Sequence, residues 1–267
     1  MPEVLQRGDA RARGARRRAA IGVLVSFVTG AWVLAAPAGA QVPAPAVCQA
    51  RSDLAVAVQD EDDSAAESAV DALVADAPAE IATSATTLSN VVRKRGQEGV
   101  ASKKGRAAIG AVDEYIAAKC GFPVLDVTGL DYLFEGVTSP LTAGTFVIEF
   151  TNEAPAEHHE FVLSRADAGV DFSVKKLLAS ADSSASRLIP IGAAFAKPGE
   201  TDRLVVVLDP GRYVYACFID VETTTGDADE HGEHGAAEHG GAAEPHWGEG
   251  MRGELEAVAI GGNLPGS

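Results

Sequence analysis

Soft metal donors are few in this chain, and they are unevenly placed. It has three cysteines, six histidines and two methionines, one of which is Met1. Gly211-Arg212-Tyr213-Val214-Tyr215-Ala216-Cys217 reads as a strand whose two-residue period puts Tyr213, Tyr215 and Cys217 on one face and ends in a thiol. Downstream comes His246-Trp247-Gly248-Glu249-Gly250-Met251, an H-x4-M spacing, and upstream lies Thr151-Asn152-Glu153-Ala154-Pro155-Ala156-Glu157-His158-His159. A thiol, imidazoles and a thioether are donors for a soft or borderline metal. No nucleophile triad, phosphate-binding loop or paired acidic motif occurs elsewhere, and the expectation from these residues is that the chain is not an enzyme.

The G-x-Y-x-[YF]-x-C strand followed by His and Met resembles the ligand loop of cupredoxins, and the H-x4-M spacing is similar to the type 1 copper loops of nitrite reductases and plastocyanins. Over residues 122–263 the chain resembles secreted, actinobacterial-type cupredoxin-like proteins, whose P-H-E-F-V-L pattern is matched by His159-Glu160-Phe161-Val162-Leu163. The resemblance implies a metal set of His159, Cys217, His246 and Met251, with copper as the cofactor and electron transfer as the function. The donor chemistry agrees: one thiolate, two imidazoles and a weak thioether suit both copper oxidation states. Two other readings stay open, a cupredoxin-like binding module without metal and a site for a different metal.

The chain departs from the family pattern at two places. Glu160 stands where small copper proteins often carry Asn beside the thiolate. Cys217 and His246 are separated by 28 residues, far more than in the relatives it resembles. Closure cost grows by only about 0.6 kcal/mol per doubling of loop length, so the loop still permits a site. The insertion, at about 222–245, repeats Glu230-His231-Gly232, Glu233-His234-Gly235 and Glu238-His239-Gly240. Such composition predicts disorder without metal and offers loose secondary donors in His231, His234 and His239, with His158 beside the main set. A copper carrier or buffer that uses this loop is therefore the alternative function.

The elements that must position these groups follow from periodicity. After Gly121, short runs of Val, Ile, Phe, Tyr and Thr predict strands at 124–127, 131–135, 145–151, 159–165, 189–195, 203–208, 212–219 and 253–260, with a helix at about 172–180. The resemblance makes this a Greek-key β-sandwich. Residues 41–121 are Ala-rich with helical stripes (Val47, Leu54, Ala55, Val58; Val70, Leu73, Val74, Ala77; Ile81, Leu88, Val91, Val92; Ile109, Val112, Ile116) and a Ser64-x-x-Glu67 capping box. They predict a bundle of about four helices, giving an α+β protein of two domains. Cys48 opens the first helix and Cys120 follows the last, so an antiparallel bundle brings them together, and a Cys48–Cys120 disulfide is expected. The basic stretch from Arg93-Lys94-Arg95 to Lys103-Lys104-Gly105-Arg106 reads as a solvated helix connection.

Residues 1–40 read as a signal peptide: a positive region from Arg11 to Arg18, an apolar stretch from Ile21 to Ala36, and Ala38-Gly39-Ala40 as cleavage signal, with an uncleaved anchor as the alternative. Export to an oxidising compartment suits the disulfide. The net charge of −16 becomes −20 over residues 41–267 once the six arginines and two acidic residues of the leader are set aside, which argues against a nucleic-acid partner. No stable membrane insertion is expected after cleavage; the expected partner is a redox protein whose identity the residues do not specify.

Overall fold

The computed structural model describes residues 45–169, 173–181, 186–221 and 244–259. The leader and its cleavage signal lie outside these residues, as do His231, His234 and His239.

Helices come first: α1 (Ala46–Gln59), α2 (Asp63–Asp76), α3 (Ala82–Arg95), the short α4 (Glu98–Ala101) and α5 (Lys103–Lys119). Their apolar stripes meet in one core of Leu54, Val70, Leu73, Leu88, Val92, Val112 and Ile116. The residue capping α2 is Asp62, which accepts from the Ala65 N–H, and not Ser64. Ser64 already lies inside the first turn of the helix, two residues past the cap, so its hydroxyl is not at the N-cap position. The basic stretch is likewise mostly helical. Arg93 to Arg95 form the last turn of α3, where cations suit the carbonyl end of the helix dipole, and Arg93 pairs with Asp71. Cys48 and Cys120 are joined in a disulfide that closes the bundle, with Cα atoms 5.7 Å apart.

Among the described residues nine strands follow: β1 (Val124–Leu130), β2 (Leu133–Glu135), β3 (Leu141–Thr142), β4 (Gly144–Asn152), β5 (His159–Ala166), β6 (Leu188–Ala196), β7 (Thr201–Leu208), β8 (Gly211–Ala216) and β9 (Arg252–Val258), with the one-turn α6 (Val174–Leu178) after β5 and α7 (His246–Glu249) before β9. They form two sheets, ordered β2-β1-β4-β7 and β3-β9-β8-β5-β6. β1 pairs parallel with β4 and β3 parallel with β9; the other ladders are antiparallel. The inner faces share a core in which Ile148, Phe150 and Val206 from one sheet meet Phe161, Leu163, Tyr213 and Leu255 from the other. This is a β-sandwich.

Parts of the outer faces are also covered. Val147 and Val205 project into the helical core, so α1 and α5 pack on the β4-β7 side of the first sheet. α6 supplies Leu177 and Leu178 to a smaller cluster with Val214 and Ala216 behind the second. β3 was not expected from the sequence, being two residues long, and the predicted strand at 212–219 stops at Ala216. Cys217 thus sits just past the strand end, where its backbone is available to a loop.

Candidate metal centre

Cys217 leaves β8 at one end of the sandwich and is the free, fully buried cysteine. The chain that departs there returns through a pinned neck. Asp220 and Pro245 form an antiparallel bridge, the Val221 N–H donates to the Glu244 carbonyl, the His246 N–H to Ile219 and the Trp247 N–H to Cys217. These bonds hold Cys217 and His246 together at the base of the insertion, so its length no longer matters to the distance between them.

From His246 the chain makes the single turn α7 and swings back at Gly250, whose φ of 138° suits a residue without a Cβ. Met251 donates its N–H to the His246 carbonyl and accepts from the Cys217 N–H at 3.1 Å. Its side chain is fully buried in the same core as Cys217, Phe150 and Phe161. Gly129 of β1 lies beneath it: a Cβ there would meet Phe150 at 2.9 Å and the Met251 Cε at 3.3 Å.

His159 begins β5 and reaches the same point from the other side. Its Nδ1 lies 3.0 Å from His246 Nδ1 and 3.9 Å from Cys217 Sγ, and His246 Nδ1 is 3.3 Å from the sulfur. All three residues are buried. A triangle with those sides has its centre about 2.0 Å from each corner, which matches typical metal–nitrogen lengths of about 2.0–2.1 Å and falls a little short of a metal–sulfur bond of about 2.3 Å. The donors fit a small ion with only a slight outward shift of the sulfur.

The loop that delivers His159 is braced by Asn152, whose buried amide donates to the carbonyls of Glu157 and Ala196 and accepts from the Ala154 N–H, each at 2.9 Å. His158 is also buried but is not part of the cluster; its ring packs edge-on to Phe195, with centroids 5.6 Å apart. Glu160, the first departure from the family pattern, accepts from the Phe218 N–H at 3.0 Å and so fixes the backbone next to Cys217.

The electrostatics suit a metal more than a charged apo site. Burial, helped by His246 and His158, lowers His159 to about 4, so its ring is neutral at pH 7 with a lone pair to offer. Burial also lowers His246, opposed in part by the Glu157, Asp131 and Asp220 carboxylates. The Cys217 thiol is pushed well up by burial and then by the nearby Glu160 charge. Only a cation can compensate a thiolate there.

Three acidic or aromatic neighbours were not read from the sequence. Glu157 Oε2 lies 3.1 Å from His246 Nε2, Asp131 and Glu157 have carboxylate oxygens near His159, and Tyr132 sets its ring edge-on to His246 with centroids 5.5 Å apart. The Glu157 position directly before the His pair was a weak signal; Asp131 and Tyr132 come from a hairpin turn with no mark in the sequence.

No family model matches the sequence, and no curated protein matches it. Solved structures do. Auracyanin from Roseiflexus castenholzii aligns over 51% of this chain and 96% of its own, at 17% identity and a TM-score of 0.33. Auracyanin A of Chloroflexus aurantiacus, described as a "blue" copper protein, aligns over 52% of this chain and 100% of its own, at 18% identity and a TM-score of 0.31. A Cu-containing nitrite reductase from Thermus scotoductus aligns over 51% of this chain and 31% of its own, at 13% identity and a TM-score of 0.27. The chain itself is a β-sandwich preceded by helices, a mixed α+β fold.

These matches correct one expectation. The absence of catalytic motifs led to a non-enzyme, yet the structural neighbours include multicopper oxidases and a nitrite reductase, which are enzymes, although the chain covers only a part of each. Buried donors brought together by the fold, such as His159, Cys217 and His246, leave no linear catalytic motif in the sequence. Among the described residues no helix is long and apolar enough to cross a membrane.

Proposed function

We propose that this chain is an exported copper protein in which His159, Cys217 and His246 would hold one ion, with Met251 as a weak further donor, and that it transfers electrons. The observation that carries this reading is the buried His159–Cys217–His246 triangle, whose centre stands at bonding distance from both nitrogens and needs only a slight outward shift of the sulfur. Copper in such a set supplies a one-electron couple.

The residues supply the rest. The neck and the sandwich hold the donors in place, so little rearrangement accompanies a change of charge. Phe150, Phe161 and Tyr215 exclude water from the sulfur side, since they share the core with Cys217 and Met251. The Cys48–Cys120 disulfide supports an oxidising compartment and hence export.

The test is a Cu(II) titration of the full chain. One tight equivalent with an intense visible thiolate band that vanishes in Cys217→Ser is the expected result; tight copper with no such band turns the reading toward a carrier, and no copper toward a metal-free module. The E-H-G repeats favour a second, gathering role for the insertion. Deleting residues 227–243 then removes weaker equivalents and slows loading at low copper, whereas unchanged stoichiometry and kinetics dismiss that role.

A further inference from the structure

The side chains on the far side of His246 from the sulfur are arranged around its second nitrogen. Glu157 presents Oε2 at 3.1 Å from Nε2 and is itself only 14% exposed. The two atoms stand within hydrogen-bond reach, although their alignment does not meet hydrogen-bond geometry. Glu157 cannot drift far, because its carbonyl is held by the buried Asn152 amide. Tyr132 lies near the Glu157 carboxylate and lays its ring edge against His246. It does so from a left-handed backbone conformation, φ 61°, that is unfavourable for an aromatic residue.

A neutral imidazole carries one proton, on either nitrogen. Only the tautomer with Nε2–H leaves the Nδ1 lone pair facing Cys217 and His159. We infer that Glu157 is a positioning residue, braced by Asn152 and flanked by Tyr132, whose carboxylate accepts the His246 Nε2–H and thereby selects the tautomer and ring orientation that present Nδ1 to the centre. The hydrogen-bonded carboxylate also makes the imidazole a stronger donor and places a negative charge behind it. The copper consequence rests on the function proposed above; the tautomer itself does not.

Two measurements separate those dependencies. In the full chain without added metal, long-range nitrogen–proton correlation spectra read the tautomer of each histidine. Wild type should show His246 as Nε2–H, Glu157→Ala should lose that uniform tautomer, and Glu157→Gln, which keeps an acceptor oxygen, should retain it. In copper-loaded protein, Glu157→Ala should weaken affinity about 10- to 100-fold, while Glu157→Gln should stay within a few-fold of wild type and shift the potential upward because the charge is gone. His246 remaining Nε2–H in Glu157→Ala overturns the inference whatever copper does. Should Glu157→Ala not fold, a Glu157→Gln potential equal to that of wild type overturns it, and a raised one supports it. A wild type that takes no copper defeats the proposed function and leaves the tautomer measurement to decide the role of Glu157.

Discussion

Arg51 of α1 and Asp113 of α5 form a buried two-pronged ion pair, Nε to Oδ1 at 2.5 Å and Nη2 to Oδ2 at 2.8 Å, and the same Asp113 oxygen accepts the Val205 N–H of β7 at 3.3 Å. Both side chains are almost wholly inaccessible, 2% and 1%. The pair ties two helices to the sheet at a strand with no neighbour on that side in its own sheet, and its charges are the ones the helical core cannot leave unmatched.

Removing one partner should therefore cost far more than removing both. Asp113→Ala strands a buried guanidinium and should destabilise the protein by about 3–5 kcal/mol, whereas Arg51→Met with Asp113→Leu should recover much of that loss. Urea unfolding of the two variants checks the order; equal losses would show that the charge is not what matters.

The disulfide should act on the unfolded chain. Its ends are 72 residues apart, and Cys48→Ser with Cys120→Ser should lower stability by about 4 kcal/mol in the chain-entropy model. The visible spectrum of the copper-loaded protein should not change, because the helices pack on Val147 and Val205 while the donors lie in and beside the other sheet. A shifted spectrum in the folded double variant would contradict that separation.

Below the centre, Gly129 leaves the space that Met251 and Phe150 fill. Gly129→Ala should overpack this floor at a cost of about 1–3 kcal/mol and perturb the copper spectrum. Met251→Leu, nearly the same volume, should instead keep the copper and raise its potential as a donor to Cu(II) is lost. Voltammetry with the spectrum distinguishes the two; identical potentials in wild type and Met251→Leu would remove Met251 from the donor set.

Alkaline stability should carry the mark of Tyr213. Burial raises its phenol above the usual 10, and the hydroxyl donates to the Asp209 carbonyl at 2.8 Å. The folded state thus keeps a proton that the unfolded chain gives up, so this contribution is present below pH 10 and lost as pH rises through the folded value. Tyr213→Phe should cost about 1 kcal/mol at pH 7 and flatten the fall in stability above pH 10. Denaturation midpoints from pH 8 to 11 measure both.

By itself the sequence determined the elements and the donors. Period-two runs mark most of the strands because one face of each is wet, helical stripes mark the bundle, and Cys217, His159, His246 and Met251 are legible because their types and order leave few other uses. The tertiary structure decided what holds them. β4 reads as Val147-Ile148-Glu149-Phe150, and alternation alone cannot say that Val147 meets helices while Ile148 meets the other sheet, since both faces are dry. The neck between Asp220 and Pro245 is made of backbone hydrogen bonds, which carry no side-chain signature. Glu157 and Tyr132 reach His246 only because a hairpin turn and a separate loop converge on it. Residue type fixes what a group can bind; its partners are set by distances that close only in the folded chain.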